Sequence, residues 1–254
     1  MPLSATMSST PVAHVSAGIL ASAPVPRTSG AHGLDKTLFL DVNRFARATP
    51  WLHGVLLFYA VIGGIIACAL LLVIGWWFAR RRPDAKAMAA SLWAGIGTVA
   101  AVGVAQPINH AVAEARPWQS LPHALILAGH TADFSFPSDH AVMAGAVIAG
   151  VFLYNRRLGV IAAVAGVLLC FARVYVGAHY PQDVAGGFVI GAAVVLIGWV
   201  IIRIPLTAAV SYFSRTPLRV LLTSQPASAA GAAGQAASSA DGQHQAARHQ
   251  AKQH

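Results

Sequence analysis

Residues 53–79 read HGVLLFYAVIGGIIACALLLVIGWWFA and run straight into Arg80, Arg81 and Arg82. The run holds no Asp, Glu, Lys or Arg. It is longer than the roughly 20 apolar residues an α-helix needs to cross a bilayer. In lipid each backbone N–H and C=O must find its partner within the protein, so such a run folds as a helix. Four more runs follow, at about 87–111, 139–155, 158–176 and 183–204. The segment after Pro205 reads as a sixth span or a surface helix. The predicted fold is all-α, a polytopic transmembrane helical bundle of five or six spans.

Composition points the same way. Charged residues are 10% of the 254-residue chain and hydrophobic residues 56%, against roughly 25% charged in soluble domains. The net charge of +9 raises nucleic acid as a partner. The placement of the bases argues against it, because they cap apolar runs instead of lining one helix face. Arg80–Arg82 with Lys86, then Arg156–Arg157, then Arg203, Arg215 and Arg219 mark three cytoplasmic ends. Alternation puts the loops at about 112–138 and 176–182 outside. Lys36, Arg44 and Arg47 also come out on that side, against the rule.

The flanks differ from the centre. Residues 1–33 are rich in Ser, Ala, Pro and Thr, without the pattern of a secretory signal, and are expected to be disordered. Leu34, Leu38, Phe39, Val42, Phe45 and Ala46 keep helical spacing, with Asp35, Lys36, Asn43, Arg44 and Arg47 between them. They predict a short amphipathic helix in the membrane interface or capping the bundle. Residues 34–222 form the predicted membrane domain, and 223–254 a disordered, low-complexity tail. Cys68 and Cys170 lie inside apolar runs, as free buried thiols do.

Polar residues gather in the two outer loops and the helix ends beside them. Four of the eight acids (Glu114, Asp133, Asp139, Asp183) and five of the eleven histidines (His110, His123, His130, His140, His179) lie between positions 110 and 190. Three short pieces stand out there: Arg116-Pro117, Pro137-Ser138-Asp139-His140, and Arg173-x5-His179-x3-Asp183. Ser138 is placed to N-cap the helix after it. The unpaired N–H groups of that first turn make an anion site, and His140 lies beside them. Pro181 suits the first position of the next helix, which puts Asp183 in its first turn near His179. A carboxylate on one ring nitrogen would fix the tautomer and sharpen the other nitrogen. A metal pair or a plain helix start fits that last spacing as well. Taken together, two arginines, a helix N-terminus, two histidines and an aspartate on one face suit phosphoryl transfer. The acids are too few for a dinuclear metal centre. His123, His130 and Asp133 are expected to be solvated loop residues, with lining of the mouth of the site as the alternative, and Trp51 and Trp118 members of an interfacial belt.

These motifs, in this order, resemble the type-2 phosphatidic acid phosphatase family of lipid phosphatases, which also includes vanadate haloperoxidases. That family carries Lys-x6-Arg-Pro, Pro-Ser-Gly-His and Ser-Arg-x5-His-x3-Asp. The matching stretch is about 109–183, and the membrane pattern extends the likeness over about 34–205. ADFSFPSDHA and VGAHYPQDV look most like the bacterial bacitracin-resistance type, which hydrolyses undecaprenyl diphosphate to the monophosphate and so recycles the peptidoglycan lipid carrier. The resemblance implies His179 as nucleophile through a phosphohistidine, Asp183 orienting it, and His140 as proton donor to the leaving group. It implies Arg116, Arg173, Ser138 and the Asp139 N–H as phosphate-binding groups, with no metal and no cofactor. It implies a multi-pass protein of the bacterial plasma (inner) membrane, its active site facing outside, the periplasm. The expected partners are a lipid diphosphate substrate and membrane lipids, not nucleic acid. A phosphatase for phosphatidylglycerophosphate or phosphatidic acid is the alternative, and a non-catalytic lipid-binding or transport protein the more distant one. Three positions depart from the pattern: Asn109 stands for the lysine, Asp139 for the glycine and Ala172 for the serine.

Overall fold

The structure is a computed structural model that describes Pro26 and residues 33–224. The disorder expected of 1–33 and 223–254 concerns residues almost wholly outside these. Helix α1 is Gly33–Ala48. Helix α2, Pro50–Arg80, is continuous but widens into a π-turn at Tyr59–Gly63. Then come α3 (Ala85–Val112), the single turn α4 (Pro117–Ser120), α5 (Asp139–Phe152), α6 (Arg156–Tyr175), α7 (Pro181–Phe213) and the short α8 (Arg219–Leu222). Among the described residues there is no strand.

Four helices, α2, α3, α6 and α7, are long and apolar enough to cross a membrane. The fifth predicted span, 139–155, is the 14-residue α5, about 21 Å long at 1.5 Å per residue. That is short of the ~30 Å hydrocarbon core. It need not match the lipid, because α2, α3, α6 and α7 pack around it. Ten of its residues are buried. The segment after Pro205 is no separate span: Pro205 lies inside α7, which continues to Phe213. Contacts from the preceding turn and from neighbours let a membrane helix carry a proline.

Small residues bring the central helices together. A Cβ at Gly191 would run into the Val142 carbonyl, and one at Gly145 into the Phe188 carbonyl. The α5–α7 crossing is therefore set by backbone approach, the usual device where lipid gives helices no hydrophobic drive to associate. Trp93 of α3 donates its indole N–H to the Val195 carbonyl of α7 at 2.9 Å. Large apolar side chains stay exposed along α2, α6 and α7, among them Leu70, Val73, Val164, Val167, Ile197 and Ile201. They form the lipid-facing belt of a multi-pass membrane protein.

Helix α1 docks on the bundle end that carries the two loops predicted to be outer. Phe39, Asn43 and Ala46 form its buried stripe. Asn43 was expected on the polar side. Its amide instead donates to the Leu125 carbonyl at 2.7 Å and accepts the Leu125 N–H at 3.0 Å. Leu34, Leu38 and Phe45 remain exposed. Phe39 packs edge-on against Tyr180, Asp35 accepts from Gln182 N at 2.8 Å, and Arg47 donates to the His123 carbonyl. The helix is thus a brace on the loops as well as an amphipathic element.

Candidate active site

The three sequence pieces meet at this end of the bundle. Pro181 begins α7, and Asp183 reaches back to accept the Tyr180 N–H at 2.8 Å, so helix capping fixes the carboxylate. Gly177, at φ +74°, turns the chain out of α6 toward His179, a conformation that suits glycine. Ser138 N donates to the Asp183 carbonyl at 3.1 Å, which joins the N-termini of α5 and α7. The Phe136–Pro137 peptide bond before it is cis.

His179 is the centre, 2% exposed. Arg116 Nη1 lies 3.3 Å and Arg173 Nη2 3.2 Å from its Nε2. Guanidinium groups only donate, so Nε2 accepts and the ring proton sits on Nδ1. Nδ1 donates to the Ser135 carbonyl at 2.9 Å. Burial first, and then the Arg173 and Arg116 charges, hold the imidazole well below its usual pKa. The result is a neutral imidazole whose free electron pair lies between two cations.

The carboxylate lies beside the ring, as expected, but makes no direct hydrogen bond to it. Asp183 Oδ2 stands 3.8 Å from Nδ1. It accepts instead from Ser135 Oγ, at 2.5 Å, and from Tyr180 N. The helix cap holds Asp183, and the loop at 134–136 passes between it and the ring.

Both arginines are positioned through carbonyls. Arg116 donates to the Ala178 and Asp133 carbonyls at 3.0 Å each and to Asp133 Oδ2 at 2.7 Å. Asp133 is exposed, as expected of this loop, and is at the same time the ion partner of Arg116. Partial burial alone would raise its carboxyl; the Thr131 hydroxyl and Arg116 outweigh this and lower it. Arg173 donates to the Ala60 carbonyl at 3.2 Å, inside the π-turn of α2, a feature frequent at functional sites. His130 packs edge-on against Trp118 at 4.7 Å. His123 is exposed, and so is Trp51.

Ser138 occupies the N-cap position of α5, yet its hydroxyl makes no capping bond. Its Oγ, His140 Nε2 and Arg173 Nε are buried and unpartnered among the described residues. Buried polar atoms of this kind ordinarily have a partner. Asp139 accepts from the Gln106 amide at 3.1 Å.

The departures from the family pattern have different fates. Asn109 donates to the Phe134 and Phe136 carbonyls at 3.0 Å each. Where the family has a cation, this chain has a tie on the loop around Ser135. Ala172 is fully buried among apolar residues including Ala46, Ala60 and Tyr175. Glu114, the chain's one glutamate, is buried and accepts from Gln182 Nε2 at 2.9 Å. Ser135 carried no signal beyond its place in ADFSFPSDHA.

The helical bundle and this buried cationic cluster define a multi-pass membrane phosphatase. The chain belongs to the PAP2 superfamily, which its residues 51–205 match. It is 35% identical over 140 residues to the undecaprenyl-diphosphatase BcrC of Bacillus subtilis, covering 55% of this chain and 68% of that one. It is 27% identical over 165 residues to the undecaprenyl-diphosphatase of Sulfolobus acidocaldarius, covering 63% and 74%. Aquifex aeolicus LpxE, at 23% identity and TM-score 0.51, covers 67% of this chain and 97% of its own and shares the fold.

Proposed function

We propose that the protein removes the terminal phosphate of a polyprenyl lipid diphosphate, converting undecaprenyl diphosphate to undecaprenyl phosphate and recycling the cell-wall lipid carrier. The observation that carries this is the unprotonated Nε2 of His179 held between Arg116 and Arg173. A nucleophile already flanked by fork-shaped cations suits a phosphoryl group, whose transfer depends on position and charge neutralisation. Among the buried unpartnered polar atoms, those of Ser138, His140 and Arg173 would gain partners from the phosphoryl and bridging oxygens. The substrate preference rests on relatives named as undecaprenyl-diphosphatases.

In the first step Nε2 attacks the terminal phosphorus. The bond to the bridging oxygen breaks, and His140 gives that oxygen a proton, releasing the lipid monophosphate. In the second step His140 takes a proton from water, the water oxygen bonds to phosphorus, the P–Nε2 bond breaks with its electron pair returning to His179, and phosphate leaves. Arg116, Arg173, the Ser138 hydroxyl and the Asp139 N–H hold the phosphoryl oxygens, and Asp183 steadies the positive charge on the phosphorylated ring. We place this end of the bundle outside the plasma membrane, facing the periplasm. The opposite end carries Arg80–Arg82, Lys86, Arg156, Arg157, Arg203, Arg215 and Arg219, the pattern of a cytoplasmic face.

The test is phosphate release by purified protein from undecaprenyl diphosphate and phosphatidylglycerophosphate side by side, with and without EDTA. EDTA-tolerant release from the undecaprenyl substrate is expected, with His179→Ala inactive on both. Release from the glycerolipid alone would transfer the same chemistry to phospholipid synthesis. Activity in His179→Ala would overturn the mechanism.

A further inference from the structure

Ser135 uses each of its polar groups to join a different part of the site. Its N–H donates to the Glu114 carbonyl at 2.9 Å, two residues before Arg116. Its hydroxyl donates to Asp183 Oδ2 at 2.5 Å. Its carbonyl accepts the Nδ1 proton of His179 at 2.9 Å. The residue is fully buried, and Asn109 holds the carbonyls on either side of it. Asp183, at 3.8 Å from Nδ1, is too distant to orient the ring by a hydrogen bond of its own.

We infer that Ser135 is a positioning residue of the reaction, and that Asp183 orients the His179 ring through it. The capped helix start fixes the carboxylate, the carboxylate fixes the Ser135 hydroxyl, and the Ser135 carbonyl fixes the ring. The arrangement has a chemical consequence. A carboxylate bonded directly to Nδ1–H would raise the proton affinity of the imidazole strongly, because it favours the charged ring. A neutral carbonyl holds the same proton with less of that effect, so Nε2 keeps its electron pair. Asp183 remains close enough to stabilise the ring once Nε2 is bonded to phosphorus and the ring carries charge.

The inference rests on His179 being the nucleophile, so His179→Ala is assayed alongside. Ser135→Ala removes the hydroxyl and leaves the carbonyl. With undecaprenyl diphosphate its kcat should fall on the order of 10- to 100-fold while KM stays within about threefold, because the lost interaction serves the chemical step and not binding. Ser135→Thr, which keeps a hydroxyl, should recover most of the kcat. Asp183→Asn and the double variant Ser135→Ala/Asp183→Asn should differ by less than about threefold, since two residues acting as one unit do not add. Should Ser135→Ala melt below the assay temperature, the comparison of the double variant with Asp183→Asn decides alone, as neither carries a buried carboxylate that has lost a hydrogen bond. Wild-type kcat in Ser135→Ala, or losses that multiply in the double variant, would overturn the inference. If His179→Ala is inactive in the same experiment, only the role of Ser135 falls. If His179→Ala is active, the proposed mechanism itself falls.

Discussion

At the level of single residues, the proposed chemistry depends on keeping one imidazole neutral among cations. Burial and the two arginines lower the pKa of His179 well below the ordinary value, which is about 6.5 in an unfolded chain. Two consequences follow from the sign of that shift. Below about pH 6.5 the unfolded chain binds a proton here that the folded protein refuses, so stability is full above that pH and is lost as pH falls toward the folded pKa. The melting temperature in detergent should therefore drop between about pH 7 and pH 5, and less so in His179→Asn. The acid limb of kcat/KM, which reports the free enzyme, should lie below the ordinary imidazole range. A limb centred near pH 6.5 would show that the ring is not held as described. The exchange of the family's lysine for Asn109 belongs to this scale too: an amide that ties two carbonyls replaces a charge and stiffens the loop that carries Ser135.

At the level of elements, the site is built from helix ends and held by loops that brace one another. Leu127 and Ala128 both donate to the Val176 carbonyl, which ties the loop between α4 and α5 to the turn that leads to His179. Asn43 of α1 grips the same loop at Leu125. Helix α1 precedes residue 51, where the family match begins, yet it reaches both loops. Asn43→Ala would leave two backbone groups of Leu125 without partners, at a cost of about 2–3 kcal/mol. The expected result is a lower melting temperature, with faster hydrogen exchange confined to residues 121–130 and 176–180. Unchanged exchange there would mean that α1 rests on the bundle without bracing it.

For the whole molecule, the short central helix places the candidate site. Four lipid-facing helices enclose α5, so its N-terminus meets the proposed phosphate-binding groups inside the protein, under the two loops. The same architecture separates the basic end from the site end by the length of the bundle, which makes orientation testable. His123 and Arg157 are exposed at opposite ends, whereas native Cys68 and Cys170 lie within the spans. In intact cells a membrane-impermeant thiol reagent should label His123→Cys directly and Arg157→Cys only after permeabilisation. The reverse pattern would turn the site toward the cytoplasm and remove the periplasmic role.

The helical membrane class, the sides of the loops relative to one another, and the three pieces around Arg116, His140 and His179 can be read from the chain alone. Those features are legible because they are local: an apolar run must be a helix in lipid, a proline or serine marks a helix start, and a motif keeps its spacing along the chain. It takes the folded molecule to show that α5 is enclosed and short, that α7 runs on past Pro205, that Asn43 is buried, that Asp133 pairs with Arg116, and that Ser135 stands between Asp183 and His179. Each of these rests on contacts between segments far apart in the chain, Asn43 with Leu125 and Ser135 with Asp183 among them. A serine or an asparagine carries no periodicity and no charge to announce such a role. Its function appears only when burial removes water and obliges every polar atom to find a partner within the fold.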